Sequence, residues 1–346
     1  MRFLKLQNFW IKLTAWEYWP MSLFYIPVYM YWFYLGFRAK SIFFFTASNP
    51  SIKNGGMIAA SKKSILDKIP PQYTPKTALL YSPVTRQQIE KTMDELGLSY
   101  PIIVKPDLGE RGWRVERITN SSEADNYLQH FKADLQIQAY LDLPLEAGVF
   151  YYRYPNEEVG TVSSIVIKEL LYVCGDGISS LKQLILKKPR ARIHYEKLKT
   201  VWEAEWNTIP TNGERVELQP IGNHNRGTAF LNGNYLIGEQ LIKSFDAISK
   251  QIDGFYYGRY DVRCKDEQAL KNGDVMIMEL NGAASEPAHI YQPGYSIVKA
   301  YMSLFHHWKV MYKISVANHK KGTKYTPFKE GWQALTTSGR VAEQGI

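Results

Sequence analysis

Asp261 and the run Glu279-Leu280-Asn281 put two carboxylates and an amide oxygen at or near the ends of two segments that read as strands. Hard oxygen donors of this kind suit Mg²⁺, which takes a few carboxylates together with phosphate oxygens, and they do not suggest zinc. Taken alone, acidic residues at strand ends are more often solvated or salt-bridged. A second feature adds weight: Lys105 follows a buried strand and precedes a loop with Gly109 and Gly112. In that arrangement backbone N–H groups can approach phosphate and a lysine can reach its oxygens. The loop matches neither G-x-x-x-x-G-K-[ST] nor G-x-G-x-x-G, so neither a Walker phosphate loop nor a dinucleotide turn is indicated. No persuasive Ser-His-Asp or Cys-His arrangement accompanies it.

The elements that must hold these residues alternate as in an α+β domain. Pro101–Pro106 reads as a strand with Val115–Ile118 as its hairpin partner, Thr85–Leu96 as a helix stopped by Gly97, and Ser121–Lys132 as a helix capped by Ser121 or Ser122. Leu135–Gln138 is a further strand. Residues 148–154 and 159–167 read as adjacent antiparallel strands, Gly175-Asp176-Gly177 as a turn and Ser180–Leu186 as a helix. Residues 237–248 follow as a helix, with strands over 258–263 and 275–280. Apolar side chains at 297, 301, 304, 308 and 311 form a helical stripe of ordinary core. Residues 41–47, SIFFFTA, read as a buried strand, residues 187–217 as a mobile polar excursion over a cleft, and 336–346 as a frayed end. Boundaries fall at 1–74, 75–137, 138–312 and 313–346: an aromatic N-terminal region, a small subdomain, a large subdomain with the metal site, and a basic polar tail.

The chain has 346 residues, 45% of them hydrophobic and 22% charged, which excludes disorder for most of it. Two cysteines, Cys174 and Cys264, cannot build a disulfide framework, so the chain reads as one from a reducing, cytoplasmic compartment with its N-terminus retained. The formal charge is +9. Nucleic acid is not the expected partner, because the basic residues are dispersed and no reader motif appears. Of 48 aromatic residues, 17 lie in the first 45 positions, and Tyr18–Phe37 is 20 residues long without a charge. Three readings of this head stand: it packs on the body and closes a cleft, it lies on an anionic membrane surface, or it spans a bilayer. Pro20, Pro27 and the tyrosines weigh against the span, as does the placement of Arg2, Lys5 and Lys12 outside that it would require.

Read in order, six segments resemble the ATP-grasp superfamily over roughly residues 75–295. PIIVKPDLGERGWRV is similar to the lysine and glycine-loop segment of D-alanine–D-alanine ligases and of the ligase module of cyanophycin synthetases. QIQAYLDLPLEAGVFYY resembles their adenine hinge and ribose segment, VCGDGISSLKQLI a recurrent GDG turn and helix, and NHNRGTAF a substrate-side loop. GRYDVRC and IMELNGAASEP resemble the metal-binding strands. The resemblance implies an ATP-grasp fold in which two α+β subdomains clasp ATP and one or two Mg²⁺ ions, with Mn²⁺ able to substitute. A short aromatic region stands in place of the usual N-terminal α/β domain.

Carried over residue by residue, the resemblance implies that Lys105 contacts phosphate and that Gly109, Glu110, Arg111 and Gly112 close over it. Gln138, Ala139 and Tyr140 fall at the adenine hinge, Glu146 at the ribose, and Asp261, Glu279 and Asn281 at the metal. Arg259 falls beside the transferring phosphoryl group or developing oxyanion. Lys168, His224, Arg226, Gly227, Ser285 and His289 are further contacts to phosphate or substrate, with Tyr291 beside them. Taken singly, Lys168 and Arg226 read as surface charges, and a lone His as a packed or surface residue. Gln138 departs from the hinge carboxylate of many relatives, and Glu110 and Arg111 from small hydroxyl residues of the D-alanine ligases.

The function so implied is an ATP-dependent carboxylate–amine ligase that works through an acylphosphate, on a small-molecule or lipid-linked carboxylate and an amine acceptor. A phosphotransferase on the same fold and a noncatalytic membrane-associated nucleotide binder are the competing readings. The sequence leaves a homo-oligomer open.

Overall fold

The computed structural model describes residues 2–58, 60–109 and 112–343. The aromatic head folds into three helices, α1 (Arg2–Thr14), α2 (Met21–Phe24) and α3 (Ile26–Ala39). Its two prolines set the breaks. Pro20 is the N-cap of α2, and Pro27 lies in the first turn of α3, where a missing N–H leaves no bond unmade. Among the described residues no helix is long and apolar enough to cross a membrane. The head instead packs on the body: Phe24, Val28 and Leu35 are buried, each contributing about 2 kcal/mol of transfer free energy. Trp16 stacks on Phe24 at 4.7 Å and its indole N–H donates to the Tyr295 carbonyl at 2.7 Å.

The SIFFFTA run is buried as expected but is not a strand. Phe44–Ala47 forms a 3-10 turn, in which the Thr46 hydroxyl donates to the Phe43 carbonyl and the phenyl rings fill a core shared with Val310, Met311 and Ile314. A short helix, α4 (Lys62–Leu66), capped by Ser61, leads into the first sheet.

In chain order this unit has β1 (Thr77–Leu80), helix α5 (Arg86–Leu96), β2 (Ile102–Pro106), β3 (Glu116–Ile118), helix α6 (Ser121–His130) and β4 (Leu135–Ala139). Its sheet is antiparallel, with order β1-β4-β2-β3. Thr85 and Gln88 close a reciprocal capping box on α5, and Gly97 ends it in the left-handed conformation. The cap of α6 is Asn120, one residue ahead of the expected serines, because its side-chain oxygen takes the Glu123 N–H.

The second sheet is built on β5 (Leu145–Tyr152) and β6 (Thr161–Glu169). An excursion follows: β7 (Tyr172–Cys174), α7 (Leu181–Lys187), α8 (Pro189–Ile193), α9 (Tyr195–Val201) and β8 (Arg215–Glu217). It has its own apolar core of Leu181, Ile185, Leu198, Trp206 and Leu218, so residues 187–217 are a packed lobe and not the unstructured excursion expected. β9 (Ala229–Asn232), α10 (Glu239–Lys250), β10 (Tyr257–Cys264), α11 (Glu267–Asn272) and β11 (Met276–Asn281) complete the sheet, whose order is β11-β10-β5-β6-β9, again antiparallel. One face is covered by α10, through Leu241, Phe245 and Ile248. The other opens to a cleft at one end and is covered at the other by α12 (Ile297–Lys320) and the head. The tail is not simply frayed, since Phe328–Glu343 forms α13.

Gly258 lets β10 and β11 approach. A Cβ there would lie 2.3 Å from the Asn281 carbonyl oxygen and 2.9 Å from Phe255 Cε2. Gly258→Ala is therefore expected to push β11 away and cost about 1–3 kcal/mol in denaturant unfolding. An unchanged midpoint would show that the strand gives way freely.

Candidate active site

Strand alternation aims one row of charged side chains into the cleft. In the register of β10 against β11, Asp261 faces Glu279 and Arg259 faces Asn281, so all four share one side of the sheet. Neighbouring strands extend the row: Arg263 of β10 pairs with Glu146 of β5, and Glu146 with Lys168 of β6. Gly148, opposite Asp261, leaves this face open, since a Cβ there would lie 3.3 Å from Asp261 Oδ1 and 2.8 Å from Val166 Cγ1.

The row is a network of paired charges. Asp261 accepts from Arg259 Nε at 2.9 Å and from Asn281 Nδ2 at 3.4 Å, with Lys168 Nζ 3.7 Å away. Burial would raise its pKa, but Arg259 and Lys168 outweigh burial and hold it below the ordinary aspartate value. Glu146 lies between Lys168 at 3.0 Å and Arg263 at 2.8 Å, and those cations likewise overcome desolvation to lower its pKa. Lys168 is thus a buried member of the network and not a surface charge. Glu279 is the most accessible charged member, its side chain 31% accessible, and it pairs with Lys62 at 4.0 Å.

Lys105 reaches this row from the other sheet. Its Nζ donates to Gln138 Oε1 at 3.1 Å and to the Met278 carbonyl at 3.3 Å, so one ammonium spans both sheets next to Glu279. Burial depresses its pKa to about 8. Gln138 steadies the lysine and donates its amide to Thr77 Oγ1 at 3.0 Å. Gly109, Gly112, Ala139 and Tyr140 line the same cleft, which encloses about 590 Å³. Glu110 and Arg111 lie outside the described residues. Gly109 (φ 145°) and Gly112 (φ 67°) hold backbone conformations that favour glycine.

The substrate-side candidates divide. His224 lines the cleft and its Nε2 lies 3.1 Å from Glu17, which also pairs with Arg190 at 2.7 Å. Ser285 lines the cleft with its hydroxyl donating to the Gly282 carbonyl. Arg226 does not line it but donates to the Gly112 carbonyl at 3.3 Å, steadying the glycine loop, and Gly227 supplies the left-handed turn that follows. His289 is a packed core residue, 4% exposed, with Nδ1 2.6 Å from Ser164 Oγ and Nε2 3.4 Å from the Tyr295 hydroxyl. Burial lowers its pKa to about 4.

Several cleft residues carry no signal of their own in the sequence, Arg263 among them. Lys62 donates to the Gly109 carbonyl. Lys12 and Glu17 come from the head, which lines one side of the cleft together with Tyr18, Trp19 and Met21. Glu286 accepts hydrogen bonds from Tyr25 and, at 2.6 Å, from Tyr291, while its backbone carbonyl accepts from Arg259 Nη1 at 3.1 Å. Desolvation raises the Glu286 pKa to about 7. In the sequence Glu286 is simply the glutamate of the triplet that closes IMELNGAASEP.

The donor set fits a hard divalent cation. Asp261 and Glu279 are cross-strand neighbours, Asn281 shares their side, and all three line the cleft. Among the described residues no group of three or more His, Cys, Asp or Glu side chains gathers in a metal cage.

No family model and no curated protein matches the chain. Among solved structures it is similar to a bifunctional glutathione synthetase from Pasteurella multocida, at 15% identity and TM-score 0.37 over 74% of this chain and 38% of that one. It is also similar to the VanG D-Ala:D-Ser ligase of Enterococcus faecalis (12%, 0.40, 73% and 61%) and to the D-alanine–D-alanine ligase of Bacillus anthracis (13%, 0.38, 75% and 67%). The chain thus spans about two fifths of the length of the first of these and three fifths of the second. Two α+β units, each built on an antiparallel sheet, border one cleft, as expected of two clasping subdomains.

Proposed function

We propose that the protein is an ATP-dependent carboxylate–amine ligase of the ATP-grasp type. The observation that carries this reading is the position of Arg259. Its Nε holds Asp261 on the phosphate side, and its Nη1 holds the Glu286 carbonyl on the side walled by the head. A guanidinium there can face both a transferring phosphoryl group and the oxyanion of an acyl intermediate.

Lys105, Lys168 and Arg259 supply positive charge for a polyphosphate, and the hinge backbone at Ala139 and Tyr140 borders the place for a base. Asp261, Glu279 and Asn281 would hold Mg²⁺, which when bound would neutralise charge on the phosphates. The carboxylate of one substrate attacks the γ-phosphorus, forming a P–O bond as ADP leaves. An amine then attacks the acyl carbon, and phosphate departs with the bond pair. The amine must lose a proton, and Glu286, a carboxylate of raised pKa in the cleft wall, is placed to receive it.

The test is phosphate release by the full chain with ATP and Mg²⁺ against panels of carboxylates and amines. Release that requires one member of each class is expected. A stable phosphorylated product without free phosphate would replace the ligase with a phosphotransferase.

A further inference from the structure

The head that walls the cleft has a second face. On α3, Ile26, Tyr29, Met30, Phe33, Tyr34 and Phe37 recur at helical spacing and are all exposed, Met30 at 70% and Phe37 at 84%. These residues form one continuous apolar stripe, opposite the buried Val28 and Leu35. α1 repeats the pattern with Leu6, Phe9, Trp10 and Leu13, and α12, packed against α3, exposes Val298 and Met302 one turn apart.

Charge says what this face meets. Residues 1–66 and 287–329, which supply α1, α2, α3 and α12, contain 15 Lys and Arg and a single carboxylate, Glu17. That carboxylate is buried against Arg190. The rest of the chain is net acidic, with 27 Lys and Arg against 32 Asp and Glu. Arg38 and Lys40 are exposed at the end of α3, and Lys299 lies beside Val298. The basic residues are spread along the sequence, but carboxylates other than Glu17 are missing from the two segments that supply these helices.

We propose that α1, α3 and the exposed edge of α12 dock on an anionic lipid surface. Lipid satisfies both halves of the observation: acyl chains take the stripe, headgroups take the cations, and Tyr and Trp suit the boundary between them. A second copy would set two basic faces against each other, and a nucleic acid would leave the stripe in water. Lys12 of α1, with Trp19 and Met21, lines the cleft, so docking sets the cleft beside the headgroups. The inference is independent of the ligase reading.

The test is co-sedimentation of the full chain with phosphatidylcholine vesicles and with equimolar phosphatidylcholine–phosphatidylglycerol vesicles, at low and high salt. Salt-sensitive binding to the anionic vesicles is expected, weakened about tenfold or more in the M30S/F33S/F37S variant, whose changes all fall on exposed positions. ATP binding by that variant, measured separately, checks its folding. Absence of binding to anionic vesicles, or equal binding by the variant, would overturn the proposal. So would a wild-type dimer that the variant converts to monomer, which would assign the stripe to a second copy.

Discussion

Glu279→Gln is expected to lower Mg²⁺-dependent ATP turnover by about a thousandfold while leaving unfolding free energy within about 0.5 kcal/mol of wild type. The stability half follows from its surroundings. Glu279 is the most accessible carboxylate of the cleft row, and its ion pair with Lys62 is 4.0 Å long, a pairing worth little in water. Lys105, which also feels its charge, keeps Gln138 and the Met278 carbonyl as hydrogen-bond partners. Asp261→Asn is expected to lose as much activity but to fail differently. Asp261 is buried between Arg259 and Lys168, so its removal strips two buried cations of a partner and costs about 3–5 kcal/mol. The two substitutions therefore separate a metal ligand from a structural counter-ion. Wild-type metal dependence in a well-folded Glu279→Gln protein would remove the cation from this place.

Much of this row was legible because strand alternation is local. Asp261, Glu279 and Asn281 stood out as hard oxygen donors at or near the ends of segments 258–263 and 275–280, Arg259 came with the family resemblance, and i, i+2 alternation on the paired strands brings all four to one side. The helix over 85–96 and its stop at Gly97 were equally local. Misreadings came where a partner far along the chain decides. The phenylalanines of SIFFFTA have strand propensity but pair with no strand among the described residues, and packing under α12 accompanies a 3-10 turn there. In the lobe over residues 187–217, α8 has five residues and α9 seven, too few for a helical period to show. Glu286 matters because Tyr25, 261 positions earlier, folds back to meet it. Glu17 matters because Arg190 and His224 do the same. No spacing rule reaches that far, so the head's role as a cleft wall emerges from packing.

The same packing yields the second large effect. Glu286→Gln keeps the side chain's shape and one acceptor oxygen, so that one tyrosine hydroxyl still donates and the other turns to accept from the amide N–H, but it cannot accept a proton from an amine. Ligation is expected to fall about a hundredfold near pH 8. The pH profile distinguishes this loss from a packing defect. Burial raises the Glu286 pKa to about 7, so the wild-type rate should climb as pH rises through that value and the carboxylate forms, whereas the variant should lack that limb. The gap should narrow at alkaline pH, where the amine loses its proton unaided. Stability carries the opposite sign. A carboxyl whose folded pKa lies above its ordinary 4.5 contributes stability that is full below that value and is lost as pH rises through about 7, a swing of at most about 3 kcal/mol. The neutral glutamine has no such swing, so the variant should gain on wild type in unfolding free energy between pH 5 and 8 while losing activity. An unchanged pH profile in a folded variant would exclude Glu286 from the proton transfer and leave it a buried partner of two tyrosines.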